Sequence, residues 1–366
     1  MKEGSCPREW QESAPEILKR GRLVVLVGEV DSGKTTFAAY LVNEILKAGL
    51  SCAVVDADIG QSSIGPPGTV SLGFPERPIE ELSDVAMASF YFVGAVSPQG
   101  HLLPCVVGAK KMVELARKSG SPDRIVVDTT GLVQGRLGRT LKEYKLDILE
   151  PEAVVFFQRR RELEGLVRLW ERRSLVFRLR VAPEVRRKTF EARARNREEK
   201  WRRYFEGSLE HEFSLREVAF SRSILGTGQP LAKEWRENIA RSLEKRILWM
   251  ECSPERSFVV AGDRLSEDEL LWLRTSLGLG RSRIFQYHPS YFEGVLVALI
   301  DELGRARSLG IVRGVDFAGE KIKILSPLPA GEKIREIQFG DYRFPPAGGE
   351  PIFRKSTFDG RDFDAR

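Results

Sequence analysis

The sequence is poor in the side chains that build metal centres and disulfide frameworks: its 366 residues include 4 cysteines and 3 histidines. No two of the cysteines (Cys6, Cys52, Cys105 and Cys252) fall within metal-ligand spacing, and four are too few for a disulfide framework. The histidines are equally scattered. We therefore expect buried free thiols in a reducing cytoplasm, and neither a zinc site nor a histidine-centred catalytic dyad.

Long apolar runs and a secretory signal are also absent. No apolar stretch approaches the roughly 20 residues that a helix needs to span a bilayer. The opening residues, MKEGSCPREWQESAPE, are polar and contain no apolar core of the kind that a signal peptide requires. With 42% apolar and 30% charged residues, the composition is typical of a globular protein with a core. No membrane partner is expected.

Charge is unevenly distributed along the chain. The net charge is +6, which by itself is a weak indication of an anionic partner. The segment 159–203 contains 17 Lys and Arg against 7 Asp and Glu, a balance of +10, so that the other residues sum to −4. The function has to account for this one basic segment.

The apolar runs predict a doubly wound α/β fold with a parallel sheet. They alternate with segments of helical spacing and comprise LVVLV (23–27), CAVVDAD (52–58), MASFYFVG (87–94), RIVVD (124–128) and EAVVFFQ (152–158). In such a sheet, functional groups lie at the carboxyl ends of the strands. Here these ends carry GEVDSGKTT, DADIGQ and DTTG, and we expect the three polar clusters to converge.

The first cluster, residues 28–36, matches the phosphate-binding pattern G-x-x-x-x-G-K-[ST], with a buried strand before it and a helix after it. Loop amides and the helix N-terminus surround phosphates in such motifs. Lys34 is expected to reach the β- and γ-phosphates, and the Thr35 hydroxyl to bind Mg²⁺. The predicted cofactors are ATP, or GTP or another NTP, and Mg²⁺. The predicted nucleotide-binding residues are Gly28, Glu29, Val30, Asp31, Ser32, Gly33, Lys34, Thr35 and Thr36.

Carboxylates end the next two strands. Asp58, the last before a loop, is best placed to accept a proton from an acceptor hydroxyl and to bind magnesium through water. Gln61 follows as a hydrogen-bonding partner for the metal shell or the acceptor, and Asp128 is a further candidate metal ligand. For Asp56 and Asp128, a purely structural role at the junction of strand and loop is an equal alternative.

The basic segment PEVRRKTFEARARNREEKWRRYF (183–205) predicts a helix that begins at Pro183. Arg193 and Arg197 lie four residues apart and share one face. A solvated helix with Glu–Arg pairs is the ordinary explanation, but the excess of basic residues favours a mobile lid. Its guanidinium groups would clamp the transferring phosphate, and the same segment could bind nucleic-acid phosphates.

We expect a leader over 1–21 and a P-loop kinase domain over 22–240, which includes the lid. Short alternating segments broken by turns predict a small β-rich domain over 241–345. A flexible tail, rich in Gly, Pro and charge, is expected over 346–366.

Four motifs, in this order along the chain, resemble the polynucleotide 5′-hydroxyl kinases. The family includes relatives of the RNA kinase of the eukaryotic pre-mRNA cleavage complex, the rRNA-processing kinases and their archaeal counterparts. The motifs are GEVDSGKTT, DADIGQSSIGPPGT, DTTGLVQG and the basic segment that ends in WRRYF. The later strands with LGIVRGVDF and IKILSPLP also look like the family's small β domain.

The resemblance implies transfer of the NTP γ-phosphate to the 5′-hydroxyl of RNA or DNA, at a single strand or a duplex end. It implies that Asp58 activates the hydroxyl and that Thr129 and Gly131 form a clasp on the acceptor. Lys34, Arg193 and Arg197 would complete the catalytic set, with Arg186 and Arg187 as alternative lid arginines. Where eukaryotic relatives have a clasp Trp, this chain has Leu132, so that base stacking is lost.

Two other functions stay open. A P-loop kinase of a small metabolite or nucleoside is disfavoured by the basic segment. A catalytically inactive, ATP-gated RNA-processing scaffold is disfavoured by the presence of Lys34, Asp58 and the lid arginines. The sequence leaves open the choice between RNA and DNA and between ATP and GTP, and it leaves open the pathway, the oligomeric state and any protein partners.

Overall fold

The computed structural model describes residues 7–181 and 188–345, together with the short strand Ile352–Phe353. The chain divides into an N-terminal unit, Met1–Tyr204, and a C-terminal unit, Phe205–Arg366. This division precedes the predicted boundary at 240/241, because Leu209–Ser214 already pairs with Lys321–Ser326 in a sheet of the C-terminal unit. No helix among the described residues is long and apolar enough to cross a bilayer.

The N-terminal unit contains one sheet with helices around it. Its helices are α1 (Arg8–Arg20), α2 (Lys34–Lys47), α3 (Leu102–Lys118), α4 (Gly135–Leu149), α5 (Glu164–Trp170) and α6 (Phe190–Tyr204). Its strands are β1 (Leu23–Gly28), β2 (Cys52–Ala57), β3 (Thr69–Gly73), β4 (Met87–Phe92), β5 (Arg124–Thr129), β6 (Ala153–Gln158) and β7 (Leu175–Arg180).

The strand order in this sheet is β4-β3-β2-β5-β1-β6-β7. Five neighbouring strands are mutually parallel, namely β2, β5, β1, β6 and β7, whereas β3 pairs antiparallel with both β2 and β4. The predicted α/β fold is confirmed, although β3 and β7 were not among the predicted strands. Side chains of β1 alternate between two cores, with Val25 and Val27 in one and Val24 and Leu26 in the other, as expected for a strand buried on both faces.

The predicted leader is largely α1, a 13-residue helix. Trp10, Ala14 and Ile17 lie on one face of it and are buried in the core of the N-terminal unit. The Trp10 ring packs edge-on against Phe37 of α2, with 5.2 Å between the ring centroids. Residues 8–20 therefore belong to the P-loop unit, because their apolar spacing of four and three matches one helix face.

The C-terminal unit is rich in β-structure, as predicted. Its helices are α7 (Lys233–Leu243) and α8 (Glu267–Ser276). Its strands are β8 (Leu209–Ser214), β9 (Ala219–Ser221), β10 (Gln229–Pro230), β11 (Ile247–Cys252), β12 (Arg256–Ala261), β13 (Arg283–Tyr287), β14 (Val295–Asp301), β15 (Ala306–Asp316), β16 (Lys321–Ser326), β17 (Ile334–Arg343) and β18 (Ile352–Phe353). They form a sheet β10-β11-β12-β13 and a sheet β18-β17-β14-β15-β16-β8, in which β9 also pairs with β17.

Candidate active site

The phosphate-binding loop connects β1 to α2 and requires backbone conformations that favour glycine. Gly33 has φ +88° and Asp31 has φ +53°. A Cβ at position 28 would lie 2.8 Å from Phe157 Cβ and 2.6 Å from Ser32 Oγ, so the strand can end there only in glycine. The turn places the N-terminus of α2, with its free amides, at the carboxyl edge of the sheet.

Lys34 is the first residue of α2, and its side chain is only 5% exposed. Its Nζ donates to Glu29 O at 2.6 Å and to Ser32 Oγ at 3.3 Å. Burial lowers the pKa of Lys34, whereas the nearby carboxylates of Asp128 and Asp58 oppose that shift. The loop therefore folds around its own lysine, as a site for a polyanion requires.

Thr35 and Asp128 form a close pair beside this lysine. The Thr35 hydroxyl donates to Asp128 Oδ2 at 2.6 Å. Asp128 is 2% exposed, and its Oδ1 has no hydrogen-bond partner among the described residues. Burial raises the pKa of Asp128 to about 7 although Lys34 opposes the shift. A hydroxyl next to a carboxylate with an open oxygen fits Mg²⁺, which takes few protein ligands in addition to phosphates and water.

Asp56 lies within β2 and Asp58 directly follows it, but the two carboxylates have different roles. Asp56 is buried and accepts hydrogen bonds from the amides of Asp58, Ser63 and Ile64 and from the Ser62 hydroxyl. These bonds occupy both of its oxygens, so that Asp56 holds the loop after β2. The structural alternative therefore accounts for Asp56.

Asp58 is half-buried at the start of that loop. Its Oδ1 accepts from the amides of Gly60 at 3.1 Å and Gln61 at 3.0 Å. Its Oδ2 makes no hydrogen bond to another described residue. The turn thus fixes the carboxylate while one of its oxygens keeps its capacity to bind a ligand.

The basic helix α6 lies against the P-loop. Arg193 Nη2 donates to Asp31 Oδ2 at 2.6 Å, and Arg193 Nε is buried without a hydrogen-bond partner among the described residues. Arg197 is 8% exposed and lies on the same side of the helix. The predicted pair of lid arginines is therefore turned inward, whereas Arg186, Arg187 and the predicted helix start at Pro183 lie outside the described residues.

Gln61 connects the loop after β2 to the same helix. Its Nε2 donates to Gly60 O at 2.9 Å and Arg193 O at 3.4 Å, and its Oε1 accepts from Asn196 Nδ2 at 3.2 Å. Lys200 Nζ of α6 also donates to Ser62 O. These hydrogen bonds connect the loop after β2 to α6. Asn196 and Lys200 were not predicted from the sequence as part of the site.

The two clasp residues predicted by resemblance lie at the end of β5. A Cβ on Gly131 would lie 2.6 Å from Val30 Cα, so that this glycine allows the clasp to pack on the P-loop backbone. Thr129 is fully buried; its hydroxyl donates to Leu26 O at 2.7 Å and accepts from Lys142 Nζ at 2.8 Å. The Thr129 side chain therefore anchors the clasp from behind, and its hydroxyl is enclosed by the fold.

Comparison with known proteins identifies the group to which this site belongs. Residues 28–207 match the family model described as mRNA cleavage and polyadenylation factor CLP1 P-loop. Over 343 residues the chain is 30% identical to a polyribonucleotide 5′-hydroxyl-kinase of Pyrococcus furiosus, covering 94% of this chain and 93% of the relative. The chain belongs to the polynucleotide 5′-hydroxyl kinase family.

Other members of the family agree with this assignment. A polyribonucleotide 5′-hydroxyl-kinase of Thermococcus kodakarensis is 35% identical over 338 residues, 89% of each chain. The fold is that of a chain in the solved wild-type Clp1p–Pcf11p complex, with a TM-score of 0.59, 12% identity and coverage of 91% of this chain and 77% of that chain. All the candidate catalytic and binding residues described above lie within the matched segment 28–207. The family is one of nucleotide-binding P-loop kinases.

Proposed function

We propose that this chain transfers the γ-phosphate of ATP, or of another NTP, to the 5′-hydroxyl end of RNA or DNA. The observation that carries the proposal is the convergence, at one edge of the parallel sheet, of Lys34, the Thr35–Asp128 pair and Asp58 beneath the arginine of α6. The naming of two relatives of nearly full coverage as polyribonucleotide 5′-hydroxyl-kinases supports this acceptor. The free thiols of Cys52 and Cys105 suit a cytoplasmic enzyme.

The nucleotide side of the site consists of the loop 28–36. Its amides and Lys34 would hold the triphosphate, while Thr35 and Asp128 would hold Mg²⁺. When bound, the nucleotide would supply the phosphoryl group, and the metal would neutralise the charge that develops during transfer. Lys34 is already buried within the loop, and its Nζ would exchange the bonds to Glu29 O and Ser32 Oγ for bonds to the phosphates.

The acceptor side depends on Asp58. With Oδ1 fixed by two backbone amides, Oδ2 would accept the hydrogen bond of the 5′-hydroxyl, orient it for in-line attack and take its proton. Arg193 and Arg197 would then neutralise the equatorial oxygens of the transferring group. The other basic residues of α6 would contact the polynucleotide backbone.

The test is transfer of labelled γ-phosphate from ATP, with Mg²⁺, to 5′-hydroxyl oligoribonucleotides and oligodeoxyribonucleotides. We expect labelled oligonucleotide with wild type, and a loss of about 100-fold or more for Asp58→Ala. The matched control is Asp316→Ala, because Asp316 Oδ1 accepts the amides of Ala318 and Gly319 in the same kind of turn but lies in the C-terminal unit. That variant should transfer phosphate at the wild-type rate.

Three other outcomes would contradict the proposal. Binding of ATP and oligonucleotide without transfer would favour the inactive scaffold. Phosphorylation of free nucleosides at a rate that does not depend on oligonucleotide length would favour the small-metabolite kinase. Equal losses in Asp58→Ala and Asp316→Ala would remove the catalytic role of Asp58.

A further inference from the structure

Two lysines of α4 are buried in the N-terminal unit: Lys142 is 0% exposed and Lys145 is 1% exposed. Removing an ammonium group from water is costly unless other groups compensate it. The two side chains lie one helical turn apart and have the same chemistry, but they differ in their contacts. That difference indicates which of them acts on the site.

Lys142 reaches the clasp from behind the sheet. Its Nζ donates to Thr129 Oγ1 at 2.8 Å and to Thr130 O. Thr129 Oγ1 in turn donates to Leu26 O at 2.7 Å. This series of hydrogen bonds links α4, the end of β5 and the last residues of β1 before the phosphate loop.

Lys145 makes no comparable connection. Its Nζ is buried and has no hydrogen-bond partner among the described residues. It lies near Cys105 of α3, on the same inner side of α4. Both lysines interact electrostatically with Asp58 and Asp128, so the two differ in their hydrogen bonds and not in that interaction. Lys145 therefore matches Lys142 in helix, burial and side-chain type, and lacks the link to the clasp.

The clasp and the phosphate loop are in direct contact, so a displacement of the clasp changes the position of the acceptor relative to the phosphates. A Cβ on Gly131 would lie 2.6 Å from Val30 Cα, which leaves no room for the clasp to move toward the loop. In the other direction it is restrained by the two hydrogen bonds from Lys142. Phosphoryl transfer depends on the position of the acceptor relative to the phosphate, and a displacement of about 1 Å greatly lowers the rate.

We propose that Lys142 is a positioning residue for the acceptor: it holds the clasp 129–131 in register with the phosphate loop. The inference rests on the proposed polynucleotide kinase function and assigns an acceptor-specific role to a side chain that touches neither substrate. It follows that loss of the Lys142 bonds weakens acceptor use more than nucleotide use.

The test compares Lys142→Met with Lys145→Met in the full chain. Methionine keeps most of the side-chain volume and removes the donor. Leaving two buried acceptors without their donor corresponds to an effect of about 10–100-fold, and we expect the KM for 5′-hydroxyl oligonucleotide to rise by that factor in Lys142→Met. The KM for ATP should stay near wild type, and Lys145→Met should leave both KM values within about twofold.

Thr129 provides a second variant for the same bond. Thr129→Val removes the hydroxyl and should reproduce the rise in acceptor KM, whereas Thr129→Ser should not. The double variant Lys142→Met/Thr129→Val should lose no more than either single one, because both remove one shared interaction. If Lys142→Met fails to fold, the pair Thr129→Val and Thr129→Ser carries the test alone.

Three results would overturn the inference. One is an acceptor KM for Lys142→Met, or for Thr129→Val if that pair carries the test, within about twofold of wild type. Another is a parallel loss of ATP and acceptor use together with a lower Tm, since this would mark Lys142 as structural only. The third is an equal loss in Lys145→Met. Absence of transfer by the wild type itself would instead overturn the proposed function, and the two failures are therefore distinguishable.

Discussion

Both units of this protein bury charged side chains, but the partners of those charges differ. In the C-terminal unit, Glu251 is 2% exposed and accepts from Trp249 Nε1 at 3.0 Å and from the amides of Gly226 and Gly228. Arg236 donates to Leu248 O at 2.8 Å and to Glu320 Oε1 at 3.3 Å. Its one nitrogen without a described partner, Nε, belongs to a guanidinium stacked 4.7 Å from the Trp249 ring centroid.

The N-terminal unit collects its buried charges at the carboxyl edge of the parallel sheet. Three buried charged groups of this unit have an atom without a hydrogen-bond partner among the described residues: Asp128 Oδ1 and Arg193 Nε, which belong to the candidate active site, and Lys145 Nζ on α4, which does not. Charges that complete their bonds within the fold stabilise it, whereas buried groups that keep bonding capacity in a cleft are candidates for binding and catalysis. This comparison leads to four predictions, taken from the largest expected effect to the smallest.

Substituting one buried cation in each unit tests the comparison most strongly. Lys34→Met should lower phosphoryl transfer by about 100–1,000-fold, because it removes charge stabilisation at the phosphates. Its Tm should change less than that of Arg236→Met, because the relief of removing a buried charge opposes the loss of the bonds to Glu29 O and Ser32 Oγ. Arg236→Met should lower stability by about 1–3 kcal/mol because it leaves buried acceptors unpaired, with kcat unchanged. Thermal unfolding measures the stability of both variants, and transfer assays measure their kcat. A lower kcat in Arg236→Met would contradict the assignment of its charge to the stability of the fold.

A second pair contrasts two arginines in ion pairs. Arg193→Met should reduce kcat about 100-fold, because the guanidinium would no longer neutralise the transferring phosphate. Arg216→Met removes an exposed ion pair with Glu320 in the C-terminal unit, and such pairs contribute little. We expect wild-type kcat and Tm for that control. Steady-state kinetics decide the matter, and a kcat for Arg193→Met equal to that of Arg216→Met would remove the lid role.

The third prediction concerns two glycines. Gly131→Ala places a methyl group against the Val30 backbone, so the phosphate loop must shift, and nucleotide affinity should fall about tenfold (a ~1.4 kcal/mol loss). Gly314→Ala in β15 meets no atom of the described residues within 4 Å and should leave affinity unchanged. Titration with a fluorescent ATP analogue measures both, and equal affinities in the two variants would contradict the close packing of clasp and loop.

The smallest expected effect is a pH dependence of stability. Because burial raises the pKa of Asp128 from 3.8 to about 7, the folded protein without metal or nucleotide binds one more proton than the unfolded chain between these values. Stability therefore falls as pH rises from about 4 to about 7. Asp128→Asn removes this loss, and its gain in Tm over wild type should be larger at pH 8 than at pH 5, measured with EDTA.

Asp123→Asn is the control for that measurement. Hydrogen bonds from the side chain and backbone of Ser51 lower the pKa of Asp123, so that this carboxyl is ionised in both states throughout pH 5–8. Its effect on Tm should not change over that range. A gain for Asp128→Asn that is equally independent of pH would contradict the raised pKa.

Much of the sheet was accessible from the sequence, because strands buried on both faces appear as continuous apolar runs. The strands β1, β2, β5 and β6 were predicted in this way, and so was the P-loop between β1 and α2. The strand β3 was missed because TVSLG follows a loop rich in Pro and Gly, and its antiparallel pairing with β2 depends on long-range contacts. The helix α4 was missed because its inward face includes two lysines.

At the site, the sequence could name residues but not the direction in which their side chains point. Asp56 and Asp58 are both carboxylates at the end of β2, and only the hydrogen bonds show that the first holds the loop. Thr129 was assigned to the acceptor by resemblance, and the structure shows its hydroxyl buried between Leu26 O and Lys142 Nζ.

The sequence alone determined the fold class, the phosphate-binding loop and the family, because these depend on local patterns: apolar runs, a fixed spacing of Gly, Lys and Thr, and the order of motifs. Only the tertiary structure decided which charges are available to a ligand and which are consumed by the fold. The physical reason is that hydrogen bonds such as that from Lys142 to Thr129 join residues on different elements, and their geometry arises only when the sheet and its helices have packed.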